Sequence, residues 1–247
     1  MFASFLKKLS QRQDVDFPTI SPDEPLQVIG DIHGRLDLLD ALLGKIDPKM
    51  KTIFVGDYTD RGDQSEAVLR RLMQLTTDPN RDVTCLVGNH DEMLLNFMME
   101  PDRGHGTWLR HGGLQTLASF GVPLTPNPKP EHIAEAVFKL RERAGPDMID
   151  WLSNLPVLVQ SGNVCILHAG ADPTLSIESQ PSGTLIWGHP NFDRTPRKDG
   201  IWVVHGHTIV DQPLIRQGRI SIDTGAYATG HLTAAVITDG QVHFIST

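Results

Sequence analysis

Residues 56–62 read Gly-Asp-Tyr-Thr-Asp-Arg-Gly and directly follow the apolar run Thr-Ile-Phe-Val at 52–55. The apolar run predicts a buried strand, and Asp57 is the first charged side chain after it. Open α/β sheets bind their ligands at the carboxyl ends of parallel strands. Asp57 is therefore a candidate to bind one metal ion or to bridge two. Asp60 and Arg61 follow too closely to reach the same point, so they need other roles.

Two more strand-like runs end in the same way. The run at 26–29 ends at Gly-Asp-Ile-His-Gly, residues 30–34, and the run at 83–87 ends at Gly-Asn-His-Asp, residues 88–91. A helical pattern of leucines or methionines follows each of the three strands. This β-α-β-α-β-α order predicts a parallel sheet with a ligand-binding edge.

The sequence after Pro156 has a different texture, with short β-type runs separated by turn residues. It predicts a second, mostly antiparallel sheet, formed by three hairpins and one further strand at 201–204. The three hairpins pair 157–160 with 164–167, 213–216 with 219–222, and 232–237 with 241–245. The fold class is therefore α/β (α+β), with two packed mixed β-sheets flanked by helices.

The domain boundaries follow from changes in composition. Residues 1–25 carry scattered charges and prolines at 18, 22 and 25, which predicts a leader rather than a packed element. Residues 26–247 are predicted to form a single domain. Within it, residues 101–155 change to a glycine-rich loop followed by helical patterns, which predicts a helical cap inserted over the sheet.

Composition excludes some classes of partner. Lysine and arginine total 22 against 30 acidic residues, a net charge of −8, which disfavours binding to nucleic acid or to an anionic membrane surface. No apolar run approaches the roughly 20 residues that span a bilayer. Cys85 and Cys165 lie in apolar runs and are expected to be buried, reduced thiols of a cytoplasmic protein.

Five strand ends together carry six predicted ligands: Asp31, His33, Asp57, Asn89, His168 and His207. Oxygen and imidazole ligands without a thiolate suit manganese, iron or zinc. Six ligands are too many for one tetrahedral ion. They are the right supply for two divalent ions that share Asp57, at a separation of roughly 3.5–4 Å.

The blocks at 30–34, 56–62, 88–91, 168–170 and 206–208 resemble the signature motifs of the calcineurin-like metallophosphoesterases. More narrowly, they resemble the bacterial and phage form of the phosphoprotein phosphatase family. The likeness extends from about residue 26 to near the C-terminus, and the motifs stand in the family's order. The resemblance implies a four-layer sandwich of two sheets between helices.

The resemblance also implies a role for each site residue. Of the six predicted ligands, the first two would bind one ion, Asp57 would bridge, and the last three would bind the other ion. His90 would be the catalytic acid, oriented by Asp60, and Arg61 would clamp the phosphate. Asn89 and His90 would also contact the substrate. An imidazolium can protonate a leaving group, and arginine suits bidentate phosphate binding.

The sequence departs from the family pattern at one point that matters for phosphate binding. Many relatives carry a second phosphate-binding arginine after an Ile-Trp dipeptide, but here Gly188 follows that dipeptide. Arg194 and Arg197 are candidates to replace it, or the site relies on Arg61 alone. His205 is predicted to support the ligands rather than to be one.

The leading hypothesis is a metal-dependent phosphomonoester hydrolase, a protein phosphatase acting on phosphoserine, phosphothreonine or phosphotyrosine. Its substrate is then a phosphorylated protein or a small phosphate ester. One alternative is a symmetrical dinucleoside tetraphosphate hydrolase, and another is an inactive metal-binding scaffold. Asp91 is frequent in the tetraphosphate enzymes, but those usually have Ala-Arg-Gly where Asp60 begins Asp-Arg-Gly. Asp60 therefore favours the protein phosphatase.

Overall fold

Two five-stranded β-sheets pack face to face in a computed structural model that describes residues 17–101 and 104–247. The first sheet has the strand order β10-β9-β1-β2-β3. Its strands are β1 (Leu26–Ile29), β2 (Lys51–Phe54), β3 (Val83–Cys85), β9 (Thr233–Thr238) and β10 (Gln241–Ser246). β1, β2 and β3 pair in parallel, which confirms the prediction from the βα pattern.

The second sheet has the strand order β4-β5-β6-β8-β7. Its strands are β4 (Leu158–Ser161), β5 (Val164–Leu167), β6 (Trp202–His205), β7 (Leu214–Arg216) and β8 (Arg219–Ser221). β5, β6 and β8 pair in parallel, and antiparallel edge strands flank them. Both sheets are therefore mixed, as predicted.

The last hairpin lies in a different sheet from the one expected. The prediction of one mostly antiparallel sheet for the second half is wrong in two respects. β5, β6 and β8 pair in parallel, and the last hairpin joins the first sheet, where β9 pairs with β1 and Leu26 lies opposite Ile237. A hairpin pattern specifies that two neighbouring strands pair, but it does not specify which sheet edge they join. Here β9 covers the free hydrogen-bonding edge of β1, which would otherwise stay unpaired.

Helices cover the outer faces of both sheets, which confirms the flanking helices expected from the sequence. They are α1 (Leu36–Leu43), α2 (Ser65–Thr77), α3 (Asn89–Met99), α4 (His105–Trp108), α5 (Leu114–Ser119), α6 (Pro130–Ser153), α7 (Ser182–Trp187) and α8 (Ala226–Thr229). A π-helical turn, Leu109–Gly113, joins α4 to α5, and a short 3₁₀ turn, Ile177–Ser179, precedes α7. α6 is broken at Gly145, where φ is +77°, and the following Pro146 cannot donate a helical hydrogen bond.

The predicted cap packs into the main core rather than standing apart. Leu117 of α5 and Leu140 of α6 belong to the same buried cluster as Phe54 of the first sheet and Leu69 of α2. None of the helices in the described ranges is both long and apolar enough to cross a bilayer. Cys85 and Cys165 are both buried and unpaired, as predicted.

Residues 17–25 are packed, so the prediction of an unpacked leader is wrong for them. Ile20 is buried in the cluster between the two sheets. The Trp202 indole N–H donates to the Pro18 carbonyl at 2.8 Å, and the Ser21 amide donates to the Asn163 side chain at 2.7 Å. These contacts fix the segment to the second sheet. Residues 1–16 of the predicted leader lie outside the described residues.

Candidate active site

The loops at the carboxyl ends of the strands hold their site residues in unusual backbone conformations. In the described chain, all but one of the non-glycine residues with positive φ are predicted site residues: His33, Asp57, Asp60, Arg61 and His207. Left-handed backbone costs of the order of 1–3 kcal/mol at such residues and persists only where the surrounding structure enforces it. The fold therefore stores strain at this edge of the two sheets.

Asp91 ties the loop after β2 to the loop after β3. Its buried carboxylate accepts hydrogen bonds from the backbone N–H groups of Asp57 at 2.8 Å, Tyr58 at 3.0 Å and Gly88 at 3.1 Å. A Cβ atom at Gly88 would collide with Asp57. From the sequence, Asp91 was considered only as an indicator of substrate class. The structure shows that its carboxylate positions Asp57.

His33 is oriented with one ring nitrogen toward the site. Its Nδ1–H donates to the Thr59 carbonyl at 2.7 Å, which leaves Nε2 as a lone-pair donor 3.5 Å from Asp57 Oδ2. Burial lowers the pKa of His33 to about 3, so the ring is neutral at physiological pH. A neutral imidazole held by its other nitrogen is the usual form of a metal-ligating histidine.

Asp31 brings a buried oxygen atom that lacks a protein partner. Its Oδ2 accepts the His207 backbone N–H at 3.0 Å, while Oδ1 is buried without a hydrogen-bond partner in the described part of the chain. Burial and the nearby carboxylates of Asp223 and Asp57 raise the pKa of Asp31. A Cβ atom at Gly206 would collide with Oδ1. An unpaired buried oxygen among carboxylates fits a cation ligand.

The last three predicted ligands converge on one point. His168 Nδ1 donates to the Val55 carbonyl at 3.0 Å, and its Nε2 lies 2.9 Å from Asn89 Oδ1. His207 Nδ1 lies 2.8 Å from the same oxygen. Burial lowers the pKa of His168, so its Nε2 carries a lone pair that faces the lone pairs of Asn89 Oδ1. Two acceptors this close fit a shared cation.

Asp57 stands between the two groups. Its Oδ2 faces His33, and its Oδ1 lies 3.4 Å from His168 Nε2 and accepts the His90 backbone N–H at 2.9 Å. Ligand atoms lie within 4.8 Å of one another in two sets, His33 with Asp57 and His90, and Asp57 with His168 and His207. The residues present therefore fit a pair of divalent cations that share Asp57.

His90 and Asp60 form a buried pair beside this cluster. His90 Nδ1–H donates to Asp60 Oδ2 at 2.6 Å. Asp60 is fully buried and also accepts the Trp108 indole N–H at 2.9 Å and the Thr116 hydroxyl at 2.6 Å. Burial acts to lower the pKa of His90, but the bond to Asp60 and the charge of Asp57 outweigh it and raise the pKa. The pair therefore favours the protonated form of His90.

Trp108 and Thr116 were missed by sequence reasoning. They belong to the predicted cap, whose helical patterns contain many polar residues and give no local signal for these two. The Thr116 hydroxyl also accepts the backbone N–H of Asp60 at 2.8 Å. The cap is thus part of the site's support, because it fixes the carboxylate that fixes His90.

Arg61 lies in the loop after β2, next to Asp60, and its side chain points toward His90. Its guanidinium lies over the Tyr227 ring, 4.6 Å from the ring centroid, and Nη2 lies 3.3 Å from His90 Nε2. A Cβ atom at Gly112 would collide with the Arg61 amide, so the π-helical turn packs directly on this loop. Tyr227 comes from α8 and was also missed, since a single tyrosine after a strand carries no motif.

One of the two candidate replacement arginines, Arg197, is engaged in a loop away from the His90–Asp60 pair. Arg197 is buried, pairs with Asp199 and donates to the Asp172 carbonyl at 3.1 Å, so its guanidinium fixes a loop. Arg194 is exposed, and its amide donates to the Asn191 carbonyl at 3.2 Å. Of the three predicted arginines, only Arg61 contacts the His90–Asp60 pair.

His205 lies behind the ligands. It is buried, its ring packs against Phe192, and its Nε2 lies 2.9 Å from the Ser221 hydroxyl. Its Nδ1 lies 3.0 Å from the carbonyl of Gly206, the residue before His207. Burial lowers its pKa to about 4. Its contacts are those of a residue that supports the loop of a ligand.

Thr116→Val is expected to weaken catalysis by loosening Asp60. The substitution keeps the side-chain shape but removes a hydroxyl that contacts Asp60 twice, and a hydrogen bond to a charged group contributes about 1.5–3 kcal/mol. We expect a loss of stability of that order and a fall in kcat of about tenfold or more. Urea unfolding and steady-state kinetics at matched metal content measure both. Thr116→Ser keeps the hydroxyl and serves as the control, and an equal fall in kcat for both variants would contradict this role.

Buried carboxylates and neutral imidazoles at the meeting edge of two sheets, beside an arginine and a His–Asp pair, define a metal-dependent phosphoester hydrolase. The chain belongs to the calcineurin-like phosphoesterase family, whose family model matches residues 25–219. This result confirms the resemblance on which the expected roles rest.

Named relatives bear on the class of substrate. The chain is 29% identical to the asymmetrical bis(5'-nucleosyl)-tetraphosphatase PrpE of Oceanobacillus iheyensis, over 85% of this chain and 87% of the relative. It is also 29% identical to the PrpE of Halalkalibacterium halodurans, over 89% of this chain and 92% of the relative. These relatives match the dinucleoside tetraphosphate alternative better than the protein phosphatase hypothesis, but they are named asymmetrical hydrolases, whereas that alternative was a symmetrical one.

Solved structures share the fold. A proposed diadenosine tetraphosphatase superposes with a TM-score of 0.61 at 21% identity, over 91% of this chain and 94% of the other. A cold-active protein-tyrosine phosphatase from a psychrophilic Shewanella species superposes with a TM-score of 0.59 at 20% identity, over 92% and 83%. At this level of identity both comparisons establish the fold alone.

Proposed function

We propose that the protein hydrolyses bis(5'-nucleosyl) tetraphosphates in a metal-dependent reaction. The convergence of Asp57, Arg61 and His90 on one point, with histidine ligands on either side, carries the hydrolytic part of the proposal. The named relatives, which match most of the chain at 29% identity, support the choice of substrate.

Each residue has a role that follows from its contacts. The six predicted ligands would hold two divalent ions, manganese or else iron or zinc, which would supply a lowered pKa for the attacking water and neutralise phosphate charge. Arg61 offers a rigid fork of donors for the phosphate oxygens, and Tyr227 holds its guanidinium in place. His90 donates its Nε2 proton to the leaving oxygen, while its Nδ1–H stays hydrogen-bonded to Asp60 Oδ2.

One observation favours the second candidate, a protein phosphatase. The buried Asp60–His90 pair is best suited to protonating a poor leaving group. A tyrosine oxygen has a pKa of about 10, whereas a phosphate leaving group has a pKa of about 6 and departs with less help. A pair built to donate a proton is therefore of more use with a phosphoprotein than with a phosphoanhydride.

A side-by-side assay with Mn²⁺ separates these candidates. We expect the highest kcat/KM on diadenosine tetraphosphate, ahead of phosphoserine and phosphotyrosine peptides. Asymmetrical cleavage yields AMP and ATP, whereas the symmetrical cleavage considered from sequence yields two ADP, and chromatography of the products distinguishes them. Turnover confined to the phosphopeptides would reject the dinucleotide proposal. Tight metal binding without turnover of any substrate would favour the inactive scaffold.

A further inference from the structure

A cavity of about 270 Å³ opens beside the candidate active site, between α3, α4 and the end of α7. Its walls include Met93 and Phe97 from α3, Trp108 from α4 and Trp187 from α7. We call this cavity the aromatic pocket. None of the sequence motifs pointed to it, because its walls come from three separate segments.

The aromatic pocket is connected to the catalytic residues in two ways. Trp108 lines the pocket, packs on Phe97 with ring centroids 4.6 Å apart, and donates its indole N–H to Asp60. His90, Met93 and Phe97 follow one another at i, i+3 and i+7, so they lie along one face of α3. With a rise of 1.5 Å per residue, Met93 and Phe97 lie about 5 Å and about 10 Å along the helix from His90.

Trp187 presents its ring in a fixed orientation. It is 46% exposed, yet its indole N–H donates to Glu92 Oε2 at 2.6 Å. An exposed aromatic ring held in this way is preorganised to stack on a flat ligand, because little rotamer freedom remains to be lost on binding. The Glu92 carboxylate beside it disfavours a second phosphate at this place, so the pocket suits an uncharged group.

We propose that the aromatic pocket binds one nucleobase of the substrate, stacked on Trp187, while the phosphates lie at Arg61 and His90. This inference rests on the proposed function and names the recognition element for it. A ribose separates a nucleobase from its phosphate, so the base reaches the part of α3 beyond Met93. The ring of phosphotyrosine carries its phosphate directly and remains beside His90. The Asn96 amide at the pocket wall offers a donor and an acceptor to a base edge.

The test uses the Mn²⁺-loaded protein, Trp187→Ala and three probes. The probes are diadenosine tetraphosphate, AMP, and inorganic tetraphosphate, which has the same phosphate chain without a base. Stacking on an aromatic side chain is worth at least about fivefold in affinity per base. We expect Trp187→Ala to lower kcat/KM on diadenosine tetraphosphate and to weaken AMP binding, measured by calorimetry, by at least that factor. For inorganic tetraphosphate, we expect kcat/KM, or the competitive inhibition constant if it is not hydrolysed, to stay within twofold of the parent value.

Two control variants complete the design. Trp187→Phe keeps a ring and is expected to retain most of the AMP affinity. Phe138→Ala removes a surface ring that is 70% exposed on α6, and we expect it to change none of the three measurements. Equal AMP affinity in the parent protein and Trp187→Ala would overturn the inference, as would a parallel loss for tetraphosphate or a larger loss for a phosphotyrosine peptide.

The outcomes also separate this inference from the proposed function. If the protein hydrolyses only phosphopeptides but binds AMP through Trp187, the proposed function fails and the pocket assignment stands. If diadenosine tetraphosphate is hydrolysed equally well by Trp187→Ala, the proposed function stands and the pocket assignment fails.

Discussion

Asp57→Asn is expected to empty both metal positions at once and to abolish activity. The Asp57 carboxylate faces His33 with one oxygen at 3.5 Å and His168 with the other at 3.4 Å. An amide has one oxygen and no charge, so it cannot serve two cations from opposite sides. We expect the metal content after gel filtration in Mn²⁺ to fall from two ions per chain to less than one. Elemental analysis by mass spectrometry measures this loss.

Thermal unfolding provides a second readout that does not depend on activity. A ligand at 100 times its Kd stabilises a folded protein by about 2.7 kcal/mol, so Mn²⁺ raises the Tm of the parent protein and leaves that of Asp57→Asn nearly unchanged. In EDTA the variant is expected to remain folded, because asparagine keeps the side-chain shape and an oxygen that can accept the backbone N–H of His90. This comparison excludes unfolding as the cause of metal loss.

Asn89→Ala is the matched control for the bridging role. Asn89 Oδ1 faces His168 and His207, whereas His33 lies on the other side of Asp57. We therefore expect this variant to lose one ion and to keep the other. If Asp57→Asn retains two tightly bound ions, Asp57 does not bridge. If both variants lose the same single ion, Asp57 belongs to one position only.

The parts of the fold that the sequence predicted are those with a local signal. Apolar runs followed by Gly-Asp-Ile-His, Gly-Asp-Tyr-Thr and Gly-Asn-His-Asp identified β1, β2 and β3, in that order, and placed their ligands at one edge. Parallel strands bring their carboxyl ends together, so residues distant in sequence, such as Asp31 and Asn89, were expected near Asp57. Backbone geometry enforces that outcome whatever the details of packing.

The parts that the sequence did not predict depend on tertiary packing. The hairpin β9–β10 has the same pattern whichever sheet it joins, and only the free edge of β1 decides its place. Trp108, Thr116 and Tyr227 reach the site from helices with no motif of their own. The role of Asp60 was assigned through the family resemblance. The two hydrogen-bond donors that hold its carboxylate, Trp108 and Thr116, come from the cap. Supporting residues are specified by contacts rather than by spacing.

His90→Asn is the second substitution with a large expected effect. His90 Nδ1–H donates to Asp60, and its Nε2 is the atom that faces Arg61 and the phosphate position. Loss of a general acid costs about 10²–10⁴ in rate. We expect kcat to fall by at least two orders of magnitude on a phosphotyrosine peptide, whose leaving oxygen has a pKa of about 10. The fall on diadenosine tetraphosphate is smaller, since a leaving phosphate has a pKa of about 6.

The metal content of His90→Asn is expected to equal that of the parent protein, because the backbone N–H of residue 90, which bonds to Asp57 Oδ1, is retained. His132→Asn changes an exposed histidine on α6 and serves as the control for the substitution itself. Kinetics on both substrates with metal analysis of the same samples give the result. Unchanged kcat on both substrates would remove His90 from the mechanism. An equal loss on both would show that its proton does not go to the leaving oxygen, because only that transfer depends on the leaving group's basicity.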